Sequence, residues 1–318
     1  MKALAIVGAT ASGKTALSLE VARRFDCEII CCDSMQIYKY MDIATAKATS
    51  EEQCQAPHHM LDLITPDTPY SAADYSTDAQ RVAGEITKRG RMPLFCGGTG
   101  LYLEAARTGR HGEAPPSDPE YRASLALMSQ DEDGRTSLHD MLKECDPESA
   151  EAIHKNNVKR VIRALEIYHA SGIPKSEWDR RTKNAPPVID MLIFGIFYHD
   201  RELLYRRIDE RVDAMVRLGL QKETRFLLEN GLLSKDSTAY QAIGYKEYAR
   251  FINGEISEDE AIADIKLATR HYAKRQLTWF SSKENVIPIY ADEGGQLATC
   301  AELCDRVQEK IQEFVNKS

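Results

Sequence analysis

Short apolar runs alternate with longer amphipathic stretches along most of the chain. Strand-like runs lie at 2–7, 28–32, 60–64, 92–96, 190–198 and 285–290. Helical patterns lie between or after them, at 14–25, 71–90, 98–108, 201–218 and 296–316. This alternation is typical of a mostly parallel sheet with helices on both faces. We therefore predict an α/β fold.

The runs at 28–32 and 92–96 are largely apolar without alternation, as expected of central strands that are buried on both faces. Ligands of open α/β sheets bind beyond the carboxyl ends of the strands. The segments that follow the strands are therefore the first places to look for chemistry. Three of them stand out, at 8–15, 33–36 and 97–100.

A helical segment interrupts this alternation. The composition changes at Ala114-Pro115-Pro116-Ser117-Asp118-Pro119, and helical patterns follow at 119–130, 135–144, 147–154 and 157–171. No strand pattern returns until Ile189, after Ala185-Pro186-Pro187. We predict a helical insertion domain at 115–187 between two parts of the core, 1–114 and 188–318.

Residues 8–15 match the phosphate-binding pattern G-x-x-x-x-G-K-[ST] between a predicted strand and a predicted helix. Glycines allow successive backbone N–H groups to point at an anion on the positive end of the helix. The lysine adds a charge, and the threonine hydroxyl is a ligand for Mg²⁺, the predicted cofactor. The motif leaves the phosphate compound open. The predicted binding residues are Gly8, Ala9, Thr10, Ala11, Ser12, Gly13, Lys14 and Thr15, with Thr15 also on the metal.

Composition limits the possible partners. The chain has 318 residues and a net charge of −8, so bulk charge cannot hold a nucleic acid and a local basic patch is required. Eight cysteines without paired spacing favour reduced thiols over zinc or disulfides. The chain contains no apolar run of about 20 residues and no leader pattern. We expect a cytoplasmic protein without a membrane partner.

Asp33 follows a buried strand and should face the bound phosphates. It could hold Mg²⁺ through water, as in a kinase, or remove a proton from an incoming nucleophile. Ser34 and Gln36 add polar groups that could contact a base edge. At 97–100, Gly-Gly-Thr-Gly lacks the acidic residue that many P-loop ATPases place there, which favours a loop that a substrate approaches closely, with Thr99 as a hydrogen-bonding group.

Arg211 has no acidic residue three or four positions away on its predicted helix, and it faces Arg207. An anion in the phosphate loop is the predicted partner. Arg160, and the series Lys266, Arg270 and Lys274, also lack such acids and predict a basic patch for nucleic-acid phosphates. Nearby aromatic residues could stack on an unpaired base. These are Tyr240, Tyr245 and Tyr248.

With these motifs in order, the chain closely resembles the bacterial tRNA dimethylallyltransferases, also called tRNA isopentenyltransferases. The resemblance covers nearly the whole length and rests on 8–15, 33–38, 41–47, 70–75, 97–102, 160 with 163–166, 243–247, 273–276 and 278–280. It implies a P-loop NTPase-like sheet with a helical insertion. It also implies transfer of a dimethylallyl group from dimethylallyl diphosphate to N6 of the adenosine 3′ of the anticodon, with release of diphosphate.

The resemblance assigns roles to individual residues. Asp33, Thr99 and Arg211 would be catalytic, with Asp33 as the base and Arg211 on the diphosphate. The loop resembles a nucleotide-binding, ATP-type loop that here holds prenyl diphosphate. We expect a monomer. Contacts to the anticodon stem-loop of tRNA would come from Asp33, Ser34, Met35, Gln36, Thr99, Arg122, Lys159, Arg160, Val161, Ile162, Arg163, Gln241, Ala242, Ile243, Gly244, Tyr245 and Lys246.

Two positions depart from the family pattern, which commonly has proline at Ala9 and often a basic residue near Ser281. The first change is benign because that loop position uses its backbone, whereas the second could weaken a phosphate contact. Three other functions remain possible. They are an adenylate isopentenyltransferase acting on a free nucleotide, a P-loop small-molecule kinase, and a P-loop regulator that binds nucleotide and nucleic acid without transfer.

Overall fold

The computed structural model describes residues 1–109, 115, 118–183 and 186–317. The chain forms two compact units, one made of Met1–Arg107 with Val188–Ser318 and the other of Thr108–Pro187. Ala114, Pro116, Ser117 and Ala185, which carried the predicted borders of the insertion, lie outside the described residues. The first unit contains the sheet, and the second is helical where it is described.

The first unit is built on a six-stranded parallel sheet, which confirms the predicted fold class. The strand order is β3-β2-β4-β1-β5-β6. A small antiparallel hairpin follows the last strand. The strands are β1 (Lys2–Gly8), β2 (Cys27–Cys31), β3 (His58–His59), β4 (Met92–Gly97), β5 (Asp190–Phe197), β6 (Val286–Tyr290), β7 (Asp292–Glu293) and β8 (Gln296–Leu297).

The strand predicted at 60–64 is wrong. Pairing with β2 stops at His59, and Met60 and Asp62 then have φ angles of 65° and 53°, outside the extended region. The hairpin of β7 and β8 also occupies the start of the helix predicted at 296–316.

Helices cover both faces of the sheet because alternate side chains of each strand point to opposite sides. Leu4 and Ile6 of β1 join one apolar core, and Ala3, Ala5 and Val7 join the other. Outside the insertion the helices are α1 (Lys14–Phe25), α2 (Ser50–Gln55), α3 (Ala72–Lys88), α4 (Gly100–Thr108), α10 (Arg201–Leu218), α11 (Leu220–Glu229), α12 (Tyr245–Ile252), α13 (Glu258–Ser281) and α14 (Cys300–Asn316). A 3₁₀ helix spans Ala239–Gln241.

The insertion has its own apolar core, which includes Leu125, Leu142 and Leu165. Its helices are α5 (Pro119–Met128), α6 (Glu132–Cys145), α7 (Pro147–Ala152), α8 (Val158–Ser171) and α9 (Lys175–Lys183). Aspartates at the starts of α5, α6 and α7 accept hydrogen bonds from first-turn N–H groups, which fixes where these helices begin. The sequence pattern did not predict α9, which is short and polar.

The two chain ends that flank the insertion meet at the sheet. The carbonyl oxygen of Arg107 accepts hydrogen bonds from the N–H groups of Val188 and Ile189, at 2.9 and 3.1 Å. Strand β5 then pairs with β1 over seven residue positions. The chain therefore leaves the core and re-enters it at nearly the same point. None of the described helices is long and apolar enough to cross a membrane.

The glycines at 97–100 permit close packing within the protein. A Cβ atom on Gly97 would lie 2.0 Å from the carbonyl oxygen of Cys32, and one on Gly98 would lie 2.1 Å from the side-chain nitrogen of Gln276. At Gly100 it would lie 2.0 Å from the indole nitrogen of Trp279. These glycines therefore allow packing against the residue after β2 and against helix α13, while Gly97 also lines a cavity, so close approach by a substrate stays a prediction.

We predict that Gly97→Ala lowers the free energy of unfolding by about 1–3 kcal/mol, because the added methyl group overlaps backbone that cannot rotate away. Gly84→Ala in α3 is the matched control, since its Cβ would meet no atom within 4 Å. The control should raise stability by about 0.5–1 kcal/mol. Urea unfolding of both variants measures this, and equal stabilities would contradict the packing argument.

Candidate active site

The phosphate loop joins β1 to α1. Gly8 and Gly13 have φ angles of 151° and 94°, which favour glycine. Gly13 is the N-cap of α1, where no side chain makes a capping hydrogen bond and the first turn has no acidic residue. The first-turn N–H groups therefore lack a protein anion, and a bound phosphate would satisfy them. The Ser12 carbonyl oxygen accepts a hydrogen bond from the Tyr198 hydroxyl at 3.2 Å.

Lys14 is a partly buried cation. Its Nζ donates to the carbonyl oxygen of Ala9 at 2.6 Å. Burial lowers the pKa of Lys14 to about 8, and the neighbouring Arg211 guanidinium also lowers it. An anion placed beside Nζ would reverse both effects.

Arg211 on α10 lines the same cavity as Lys14. Its Nη2 donates to the carbonyl oxygen of Thr45 at 3.4 Å, while its Nε is buried without a hydrogen-bond partner in the described part of the chain. Burial also lowers the pKa of Arg211. A buried guanidinium nitrogen without an acceptor is costly, so this site favours an anionic ligand.

A cavity of about 290 Å³ lies at the carboxyl ends of the strands. Its polar lining comes from the phosphate loop, the segment after β2, Arg211, and polar residues of α13 that include Arg275 and Gln276. The other walls are largely apolar and include Ala44, Ile208, Val212, Met215, Ala242, Ile243 and Ile265. Such a cavity suits a ligand with an anionic group and a short apolar group.

A second cavity, of about 410 Å³, shares Lys14, Thr15 and Arg211 with the first. Arg207 lines it and donates from Nε to the carbonyl oxygen of Ala11 at 2.9 Å. Sequence reasoning treated Arg207 only as a like charge near Arg211. The four-residue spacing of the two arginines was the available signal, because it places both on one helix face.

Asp33 lines the first cavity two residues after β2 ends. Its Oδ1 accepts a hydrogen bond from the N–H of Met35 at 2.9 Å, and no described residue bonds to Oδ2. One carboxylate oxygen thus fixes the orientation of the side chain. The other is available to accept a proton from a bound nucleophile.

Thr99 holds the segment that carries Asp33. Its Oγ1 accepts a hydrogen bond from the N–H of Ser34 at 3.1 Å, and its own N–H donates to the carbonyl oxygen of Cys32 at 3.1 Å. These bonds link the turn after β4 to the residues on both sides of Asp33. Thr99 therefore positions Asp33 in this structure.

Gln276 of α13 connects two loops and was missed from the sequence. Its Oε1 accepts a hydrogen bond from the N–H of Thr10 at 2.8 Å, and its Nε2 donates to the carbonyl oxygen of Gly98 at 3.0 Å. The Thr10 N–H is therefore not directed at an anion, which corrects at this position the expectation that successive loop N–H groups point at one. A single glutamine inside a long amphipathic helix gives no signal of such a role.

Gln36 is engaged within the protein. Its Oε1 accepts a hydrogen bond from the Cys31 thiol at 3.1 Å, and its Nε2 donates to the carbonyl oxygens of Thr45 and Ala46 at 3.0 and 3.2 Å. The expectation that this amide contacts a base edge is therefore not met here. Gln36 instead shapes the 44–46 wall of the cavity, and Ser34 and Met35 line the same cavity.

Two charged side chains, Lys47, which is buried, and Glu223, which is partly buried, fix the loop that contains this wall. Lys47 donates to the carbonyl oxygen of Tyr38 at 2.8 Å and contacts the carboxylates of Asp42 and Asp62 at 2.5 and 2.6 Å. Glu223 of α11 accepts hydrogen bonds from the N–H groups of Asp42 and Ile43, and from the Tyr245 hydroxyl at 2.5 Å. Burial raises the pKa of Glu223.

The tyrosines proposed to stack on a base are core residues. Tyr240, Tyr245 and Tyr248 are all buried, so this interpretation is wrong for their rings. In the 241–246 segment, Gln241, Ala242 and Ile243 line the cavity. Gly244 packs against Ala44, where a Cβ would lie 2.8 Å from the alanine Cβ, and Lys246 is half-exposed.

The predicted basic series on α13 is largely neutralised. Lys266 pairs with Asp213 at 2.6 Å, and Arg270 forms a two-point ion pair with Asp209. Lys274 is exposed. The prediction of free cations at 266 and 270 is wrong because their partners lie on α10, a different helix that packs against α13.

Only some of the insertion residues that were predicted to contact tRNA are exposed. Lys159 and Arg160 are exposed, and neither forms an ion pair with a residue in the described ranges. Val161 and Ile162 are buried in the insertion core, so their side chains cannot contact RNA.

Two other arginines expected to contact RNA have internal partners. Arg163 donates to the carbonyl oxygen of Pro115 at 3.1 Å and lies 3.9 Å from Glu166. Arg122 forms a two-point ion pair with Glu166, at 3.0 and 2.7 Å.

The chain is similar to known proteins over most of its length. Residues 36–283 match the family model described as IPP transferase, and residues 1–61 match one described as isopentenyl transferase. The chain is 42% identical over 291 residues to a tRNA dimethylallyltransferase of Caldanaerobacter subterraneus subsp. tengcongensis, covering 91% of both chains. It is 46% identical over 288 residues to that of Geobacillus thermodenitrificans, covering 91% of this chain and 89% of the relative.

Solved structures agree with the sequence relatives. The full-length tRNA isopentenylpyrophosphate transferase of Bacillus halodurans matches with a TM-score of 0.71 and 39% identity, over 99% of this chain and 98% of that chain. A eukaryotic dimethylallyltransferase acting on tRNA matches with a TM-score of 0.83 and 28% identity, over 100% of this chain and 80% of that chain.

Proposed function

The chain belongs to the IPP transferase family, and from that premise we propose that it transfers a dimethylallyl group to N6 of the adenosine on the 3′ side of the anticodon in certain tRNAs. The donor is dimethylallyl diphosphate, and diphosphate is released. The observation that carries this proposal is the cavity at the strand ends, which has cations and Asp33 in its polar part and apolar side chains elsewhere.

The leaving group sets the chemical demand. An allylic diphosphate ionises readily, so catalysis consists of neutralising the diphosphate and holding the amine in line with the reacting carbon. Lys14 and Arg211 supply partly buried positive charge, and the uncapped first turn of α1 supplies N–H donors. We add Arg207 to this set because it lines the cavity that shares both cations. The apolar wall residues suit the dimethylallyl group.

Asp33 acts on the acceptor. An adenine N6 amine is a poor nucleophile and a very weak acid, so its proton leaves late in the reaction. The acceptor is Oδ2 of Asp33, which forms no hydrogen bond with a described residue. Thr99 keeps Asp33 in place. The adenine must leave its stack in the tRNA to reach the cavity.

The residues at the phosphate loop fit a Mg²⁺ ion that is bound mainly through the oxygen atoms of the diphosphate. No cluster of three or more acidic, histidine or cysteine side chains that could hold a metal occurs among the described residues. The Thr15 hydroxyl lines both cavities, and a hydroxyl together with diphosphate oxygens is the kind of shell that Mg²⁺ prefers. Bound there, Mg²⁺ would add positive charge to the leaving group.

We further propose that Lys159 and Arg160 contact tRNA phosphates, with Arg122 and Arg163 contributing where their pairing with Glu166 allows. Segments 33–36 and 241–246 would contact the anticodon region through the residues that line the cavity. We also propose that the protein is a cytoplasmic monomer.

A P-loop kinase and an adenylate isopentenyltransferase are the enzymes that this proposal must exclude. Incubation with labelled dimethylallyl diphosphate and bacterial tRNA, beside parallel reactions with AMP and with labelled ATP, separates them. We expect label on tRNA only. Label on AMP alone would indicate the free-nucleotide enzyme, and phosphate transfer from ATP would indicate a kinase.

We predict that Asp33→Asn lowers single-turnover transfer to tRNA by about 10²–10⁴-fold, the usual effect of losing a positioned base. Binding of tRNA and of dimethylallyl diphosphate should stay nearly unchanged. Asp67→Asn, at an exposed turn, is the matched control and should retain activity. Wild-type turnover in Asp33→Asn would remove this residue from the mechanism.

Binding of dimethylallyl diphosphate should weaken as the pH rises above about 8. The free protein loses the Lys14 proton near that pH, whereas the bound diphosphate favours the charged lysine, so binding above pH 8 requires proton uptake. The affinity should fall up to about tenfold per pH unit. Calorimetric titration between pH 7 and 9.5 tests this, with Lys14→Arg as the control that stays charged. A flat wild-type profile would contradict the role of Lys14.

The double variant Lys159→Ala, Arg160→Ala should bind tRNA more weakly and with a smaller salt dependence. Each lost phosphate contact removes about one released counterion from the slope of log K against log salt. Dimethylallyl diphosphate affinity should not change. Tyr168→Phe on the same helix is the control variant. Parallel salt slopes for the double variant and wild type, with both folded, would show that this cluster does not hold RNA.

A further inference from the structure

Tyr40 has a backbone conformation that bulky residues avoid. Its φ angle is +66°, in the left-handed region that favours glycine. Met60 is another large residue with positive φ, but it is 3% exposed, whereas Tyr40 is 49% exposed. Burial of the ring therefore does not offset the strain at Tyr40. Strained and exposed large residues of this kind point to a binding role.

A second exposed ring lies against Tyr40. Phe226 of α11 is 45% exposed, and the two ring centroids are 5.8 Å apart with an interplanar angle of 66°. An edge-to-face pair of half-exposed rings leaves ring surface open to a further aromatic group. We call Tyr40 and Phe226 the aromatic pair.

Hydrogen bonds fix the chain on both sides of Tyr40. The N–H of Lys39 donates to the carbonyl oxygen of Ile64 at 2.8 Å, which fixes the chain just before Tyr40. Just after it, Glu223 accepts the N–H groups of Asp42 and Ile43. Glu223 lies one helical turn before Phe226 on α11, so the same helix anchors the loop and presents the second ring. A rigid surface loses little conformational freedom when a ligand binds.

Three cations lie within four residues of one ring or the other along the chain. Lys39, Lys222 and Arg225 are exposed, and none of them forms an ion pair with a residue that the structure describes. The nearby carboxylates are directed elsewhere: Asp42 and Asp62 contact Lys47, and Glu223 faces backbone N–H groups. Glu229 lies four residues after Arg225 and forms no ion pair within the described ranges. Exposed rings beside cations without protein partners match the chemistry of single-stranded RNA.

We propose that the aromatic pair stacks on an unpaired base of the substrate tRNA, with Lys39, Lys222 and Arg225 contacting the adjoining phosphates. The proposal rests on the function proposed above. Continuity with the site favours RNA over a protein partner, because Tyr40 belongs to the loop whose two ends, at 33–36 and 44–46, line the reaction cavity. The same RNA molecule can therefore reach both places.

Tyr40→Gly tests the proposal without endangering the fold. Glycine suits a φ of +66°, so this variant should unfold at the same or a higher temperature than wild type while it lacks the ring. We expect its Kd for tRNA to rise about tenfold, since stacking on one base contributes on this scale. Tyr40→Phe keeps the ring and should bind tRNA within about twofold of wild type.

Salt dependence separates stacking from charge. Tyr40→Gly should keep the wild-type slope of log K against log salt, whereas Lys222→Ala should reduce it by about one counterion. Affinity for dimethylallyl diphosphate should remain at the wild-type value in both variants. An unchanged tRNA Kd in Tyr40→Gly would overturn the proposal that the aromatic pair stacks on a base.

Two further outcomes would also overturn the proposal. One is a wild-type dimer that Tyr40→Gly dissociates at unchanged tRNA affinity, because it would assign the surface to a second copy of the chain. The other is an equal loss of tRNA affinity in Tyr40→Phe, because it would assign the effect to the hydroxyl group. Failure of the proposed function itself differs from all of these, since wild-type protein would then transfer no label to tRNA.

Discussion

Partly buried positive charge around one loop is the constraint on which the site depends. Lys14 and Arg211 lie in the same cavity, burial lowers the pKa of each, and the Nε of Arg211 has no acceptor in the described chain. Two cations in a poorly solvated space repel each other and lose hydration. A ligand that carries several negative charges removes both costs at once. Under the proposed function, the free energy of folding is lowered by that cost when no diphosphate is bound, and diphosphate binding recovers it.

The remaining geometry holds the walls of the cavity at fixed positions around that charge. Gln276 links the phosphate loop to the turn after β4, and Thr99 links that turn to the segment that carries Asp33. On the other side, Gln36, Lys47 and Glu223 hold the loop that forms the 44–46 wall. These residues use backbone groups as partners, so a change at one of them shifts a wall rather than a single side chain. Preorganised walls reduce what must be reordered when the substrates bind.

Sequence patterns predicted the parallel sheet and most helices because apolar periodicity reports local structure directly. Arg211, which lacks a local acid, lines the same cavity as Lys14, and its anionic partner stays a prediction. The same reasoning failed at Lys266 and Arg270, whose partners come from another helix, and at Tyr245, whose ring is core. Gln276 lies in a segment that carried the family resemblance, but nothing in the sequence indicated that it links two loops. Long-range pairing decides these cases, and one sequence read along its length does not contain it.

The meeting of Val188 and Ile189 at the Arg107 carbonyl oxygen has a consequence for how the chain folds. Strand β5 pairs with β1 only after the whole insertion has been synthesised, which would be a slow long-range closure for an open chain. An insertion that collapses around its own core brings its two ends together early. The search for the β1–β5 contact then resembles the closing of a short loop, because closure entropy follows the free length of chain between the ends. A helical unit can therefore be inserted between two strands of one sheet with little slowing of the pairing of those strands.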